Sequence, residues 1–143
     1  MPEDRYTVPF GSANVHRRGD DVTVVTWGAM VHTATEAADE LATDGVEVEV
    51  LDLRTLIPWD KERVLESVRR CSKVLVLHED TRTGGFGAEI AATVAEEAFE
   101  DLDAPVVRVA APDTPVPFSP PLEKAYIPQV EDVVKALRQL AEY

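Results

Sequence analysis

Two hydrophobic periods alternate along this chain. Short apolar runs rich in β-branched residues have the length of strands, and stretches between them carry apolar residues three and four apart, as a helix does. Residues 12–17 predict a short strand, and Arg18-Gly19-Asp20 a turn. That turn returns the chain antiparallel into a second strand over residues 21–26, Asp-Val-Thr-Val-Val-Thr. Val31, Ala34, Ala38, Leu41 and Ala42 then recur at helical spacing, and Gly45 ends the helix. Residues 46–52 alternate as a third strand, with a loop over 53–59 behind it. Asp60 is a good N-cap for the next helix, whose buried stripe is Val64, Leu65, Val68 and Cys71. Arg69 and Arg70 fall in its last turn, the favourable end of the dipole.

Lys73-Val74-Leu75-Val76-Leu77 predicts a fourth, buried strand. A loop follows from His78 through Gly84-Gly85-Phe86-Gly87 and opens a helix with Ile90, Ala91, Val94, Ala98 and Leu102 on one face. Residues 106–110 predict a fifth strand. Five prolines between 111 and 121 exclude a helix there and predict a stiff, extended segment. A last helix carries Val130, Val133, Val134, Leu137 and Leu140 inward. Strands alternating with helices imply a three-layer α/β/α domain around a five-stranded, mostly parallel sheet with one antiparallel edge strand. The expected organisation is a linker over residues 1–11, following an upstream domain, and one domain over 12–143.

The chemistry available is sparse. The loop after the fourth strand lies at a carboxyl end, where ligands and partners dock in open α/β sheets. Its glycines allow two uses: an anion site on backbone amides, or a tight turn packed against protein. The dinucleotide fingerprint is incomplete, since Ile90 stands where its third glycine belongs, and Glu79 and Asp80 would repel an anion. The turn is therefore the preferred reading, and a small-molecule or anion-binding regulatory module on the Gly84–Gly87 loop is the alternative. His78 at the strand end could act as a general base, but a structural histidine donating to a backbone carbonyl is the commoner case. Gly19-Asp20-Asp21 reads as a turn rather than a metal motif, and Cys71 as core filler. No catalytic, cofactor-binding or metal-binding residue is assigned.

Charge narrows the partners. The 143 residues carry 27 acidic and 14 basic side chains, a net charge of −13. Nucleic acid is a poor partner for such a surface, and a basic protein a good one. No apolar run is long enough to span a membrane and no apolar leader is present, so a cytoplasmic location is expected. A single cysteine excludes an internal disulfide.

Several motifs in fixed order resemble a known family. They are Asp21-Val22-Thr23-Val24-Val25-Thr26-Trp27-Gly28-Ala29-Met30 and Asp52-Leu53-Arg54-Thr55-Leu56-Ile57-Pro58-Trp59-Asp60. His78-Glu79, Thr83-Gly84-Gly85-Phe86-Gly87-Ala88-Glu89-Ile90, Ala104-Pro105, Asp113-Thr114-Pro115 and Tyr126-Ile127-Pro128 complete the set. Together they resemble the C-terminal domain of the β subunit of thiamine-diphosphate-dependent 2-oxoacid dehydrogenases, the decarboxylase component, and most closely the 2-oxoisovalerate (branched-chain) type, with the pyruvate type beside it. Transketolases share the domain. The resemblance implies that thiamine diphosphate and Mg²⁺ belong to other parts of the parent enzyme, so this chain alone is expected to be inactive. It implies a role in assembly: joining the α subunit and a second β subunit, and holding the small, basic peripheral subunit-binding domain of the dihydrolipoyl acyltransferase. By analogy the carboxylate of Tyr143 is the first docking contact, with Asp113 second. The Gly84-Gly85-Phe86 loop is expected to pack on a neighbouring subunit with Phe86 as anchor.

Overall fold

A computed structural model describes residues 6–143. The first five positions of the expected linker lie outside the described residues; of the remainder, Gly11 donates its N–H to Thr55 Oγ1 at 2.8 Å. The sheet contains β1 (Asn14–Arg17), β2 (Val22–Thr26), β3 (Val48–Asp52), β4 (Val74–Thr81) and β5 (Val107–Ala111). The helices are α1 (Met30–Ala42), α2 (Lys61–Cys71), α3 (Gly87–Glu97), α4 (Pro120–Tyr126) and α5 (Val130–Ala141).

Strand order is β1-β3-β2-β4-β5, parallel except for β1. Alternation along the strands divides the core between two faces. Val22, Val24, Val48, Val50, Leu75 and Leu77 meet α1 and α5 on one side. Val25, Leu51, Val74 and Val76 meet α2 and α3 on the other. Each fully buried Leu or Val contributes about 1.5–3 kcal/mol relative to exposure, and this double burial explains why the strands read as nearly continuous apolar runs.

The structure corrects four local expectations. β1 is an antiparallel edge strand, but it pairs with β3 and not with β2, so Arg18–Asp20 is not a hairpin turn. The turn instead carries the chain across the start of β3. Gly19 passes so close that a Cβ would collide with the backbone at Glu47–Glu49. Arg17 Nη1 donates to the Val48 carbonyl at 2.8 Å, and Asp21 exchanges hydrogen bonds with Glu47. Asp20 pairs with Arg70, so the two aspartates of this turn are used separately.

β4 runs through His78 and on to Thr81, because after an irregularity it pairs again with Ala111 of β5. The prolines do not exclude a helix: Pro120 and Pro121 occupy the first turn of α4, where a missing N–H breaks no hydrogen bond. α3 stops at Glu97, and a short 3₁₀ turn over Phe99–Asp101 carries the chain to Leu102. Asp60 caps α2 as expected, its side chain accepting from Arg63 N–H.

Candidate functional site

The site grows from the carboxyl end of β4. Strand alternation sends His78 to the same face as Val74 and Val76, and it is completely buried. Its ring stacks on Trp27 at 5.4 Å with an interplanar angle of 6°. Neither ring nitrogen makes a well-formed hydrogen bond among the described residues; the Asp80 backbone is the polar group close enough to favour the protonated ring, a weak form of the expected bond. Burial pushes the imidazole pKa down; Asp80 opposes the shift and Arg108 adds to it. A neutral, enclosed imidazole is a packing element, and general-base chemistry has no route to it.

The glycine loop is shaped by this ring. A Cβ on Gly85 would lie 2.8 Å from His78 Cε1 and run into the Thr81 carbonyl; one on Gly87 would strike His78 Cδ2 and Nε2. The glycines thus admit a histidine beneath the loop. Gly84 holds φ at +78° where the chain leaves the strand. Exposed Glu79 and Asp80 adjoin the loop, and their charges disfavour the diphosphate of thiamine diphosphate there. Among the described residues no cluster of His, Cys, Asp or Glu could hold a metal ion.

Phe86 precedes α3 and is half-buried. It meets Trp27 edge-on at 6.1 Å and Trp59 edge-on at 6.4 Å; such pairs add about 0.5–1.5 kcal/mol each beyond their buried area. Phe86 is therefore tied into the chain's own aromatic cluster. What faces outward is a groove of about 560 Å³ between the 56–59 loop and Gly84–Glu89. Ile57, 88% exposed, stands at its rim. Composition did not single out Trp27, Ile57 and Trp59, although Trp27 directly follows β2 and Trp59 directly precedes the Asp60 cap of α2, placements that are a usable signal.

Asp113 braces the same loop. Its carboxylate accepts from Thr83 N–H at 2.9 Å and from Thr83 Oγ1 at 2.6 Å. Those two bonds, with Arg82 and Arg108 nearby, hold its pKa below the usual carboxylate value. Gly84, Gly85, Phe86 and Asp113 thus form one neighbourhood. Tyr143 belongs to the opposite end of the sheet, where Lys73 Nζ, just before β4, donates to the Ala141 carbonyl at 2.9 Å. The exposed Tyr143 ring borders a groove of about 490 Å³ with Pro105, Val107 and Leu140. Cys71 is buried, and burial pushes its thiol pKa up, the direction of an inert thiol. No helix of the described residues is long and apolar enough to cross a membrane.

Comparison with known proteins agrees with this architecture. Residues 11–133 match the family described as "Transketolase, C-terminal domain". The chain is 44% identical, over its full length, to the 2-oxoisovalerate dehydrogenase subunit beta of Bacillus subtilis, covering 44% of that protein. It is 47% identical to the acetoin:2,6-dichlorophenolindophenol oxidoreductase subunit beta of Cupriavidus necator, over 97% of this chain and 41% of the relative. The pyruvate dehydrogenase E1 component subunit beta of Bacillus subtilis is 41% identical over the full chain and is 44% covered. Among solved structures, one described as a split gene transketolase, inactive beta4 tetramer, superposes with a TM-score of 0.82 at 32% identity, over 99% of this chain and 44% of that one. The chain therefore spans less than half the length of these relatives. On the match over residues 11–133, the chain belongs to the transketolase C-terminal domain family.

Proposed function

We propose that this chain is the assembly and docking domain of a 2-oxoacid dehydrogenase decarboxylase component, working in the cytoplasm and inactive by itself. The observation that carries the reading is the match, over the whole of this chain, to several dehydrogenase β subunits, combined with a strand-end groove walled by Leu56, Ile57, Pro58, Trp59 and Phe86. On this reading residues 1–11 lead in from a preceding domain, and 12–143 form the docking unit. Thiamine diphosphate and Mg²⁺ are held by the α subunit and the rest of the β subunit. The groove beside Gly84, Gly85 and Phe86, with Asp113 bracing its loop, takes a neighbouring α or β subunit. Tyr143, at the other end of the sheet, takes the peripheral subunit-binding domain of the acyltransferase. Placing the two contacts at opposite ends lets both partners bind together. A net charge of −13 favours encounter with the basic one.

Ile57→Asp tests the first contact. The side chain is exposed, so the fold is retained, but a charge enters the apolar rim of the groove. Sedimentation of the chain with the α subunit is expected to show association weakened at least tenfold, about 1.4 kcal/mol. Unchanged association in this variant contradicts the placement of the interface.

A further inference from the structure

On the far side of Arg82 from the glycine loop lies a cleft whose charge runs against that of the whole molecule. It opens between β5 and the α4–α5 connection, and Arg82, Arg108 and Lys135 all line it. The two arginines clasp each other's backbone: Arg82 Nη1 donates to the Arg108 carbonyl and Arg108 Nη1 to the Arg82 carbonyl, both at 3.0 Å. A guanidinium has five N–H donors, so the clasp fixes both forks and leaves most of their donors unused.

None of the three cations forms an ion pair among the described residues, although the chain has nearly two acids for each base. Asp132 is the one carboxylate lining the cleft, and its Oδ2 accepts from Gln129 N–H at 3.0 Å in the cap of α5. Asp113, which feels both arginines, has its oxygens engaged by Thr83. The cleft has a volume of about 340 Å³ and apolar walls at Val109, Tyr126 and Ile127. That is the lower end of the range for small-molecule sites, about 300–1,000 Å³.

We propose that this cleft binds a compact dianion, the phosphate group of a small phosphomonoester. Two held guanidinium forks supply directional donors to tetrahedral oxygens, and Lys135 adds a mobile point charge from the facing helix. Because Thr83 adjoins Arg82 and is bound to Asp113, occupancy of the cleft reaches the loop that supports the apolar groove. This placement does not depend on the docking role.

The test is a titration of the ¹⁵N-labelled 143-residue chain with inorganic phosphate, glycerol phosphate and succinate at pH 7.5 and constant ionic strength. The expected result is saturable shifts centred on the amides of Arg82, Thr83, Arg108 and Lys135, with glycerol phosphate binding at least as tightly as phosphate and both ahead of succinate. Lys135→Glu, on an exposed helix face outside the clasp, should lower phosphate affinity at least tenfold while leaving the rest of the spectrum unchanged. Linear shifts scattered over the chain, or full affinity in Lys135→Glu, overturn the site. Succinate binding as tightly as glycerol phosphate overturns the phosphate assignment.

Discussion

A methyl group at position 87 has no space, because the imidazole of His78 already fills it. Gly87→Ala should destabilise the chain by about 1–3 kcal/mol through overpacking. In a His78→Ala background the same change should cost at least about 1 kcal/mol less, since the obstructing ring is gone and only Val76 Cγ1, at 3.2 Å, still crowds the methyl. Urea unfolding of the two single variants and the double variant measures that coupling. The ring also sets a pH dependence. Folded, His78 has a depressed pKa, and it stays neutral while the unfolded chain takes up a proton near the ordinary value of about 6.5. Its contribution to stability is therefore complete above pH 6.5 and declines as pH falls from there toward the folded pKa. One proton limits the slope to about 1.4 kcal/mol per pH unit. His78→Phe, which keeps an aromatic ring against Trp27, should flatten the stability profile between pH 7 and 5; an unchanged slope refutes the assignment. The buried histidine was visible in the sequence as a strand-end residue, but its use was not. Only the path of the glycine loop shows that the ring is held chiefly by packing.

At the scale of elements, legibility followed the range of the interactions involved. Strand runs, helix stripes and the Asp60 cap depend on neighbours within a few residues, and periodicity placed them to within a few positions. The partner of β1 did not, because pairing with β3 depends on a crossing at Gly19 that brings together residues about thirty positions apart. The extension of β4 beyond Leu77 is likewise set by Ala111 of β5, which lends pairing to a polar stretch. α4 was hidden by its own prolines, which permit a helix only where they stand at its first turn. Asp60 joins two of these elements: Oδ1 accepts from Arg63 N–H at 3.2 Å and Oδ2 from Ala13 N–H at 2.8 Å. Asp60→Ala should cost about 1–2 kcal/mol in urea unfolding, the upper range for a lost N-cap, because a second amide loses its acceptor as well. A loss within about 0.3 kcal/mol would mean that water replaces both bonds.

For the whole molecule, the proposed docking role rests on the acidic surface, the strand-end groove and the exposed Tyr143 end. The family was legible from ordered motifs spread along the chain. The separation of Gly84–Phe86 and Asp113 from Tyr143 was not, because it depends on which way α5 runs across the sheet. The most direct test is a calorimetric titration of the acyltransferase's peripheral subunit-binding domain into this chain at low and high salt. Saturable binding is expected, weakening as salt screens the acidic surface and falling at least tenfold when Tyr143 is deleted. Binding insensitive to both salt and the deletion, or no binding at low salt, would contradict the docking role.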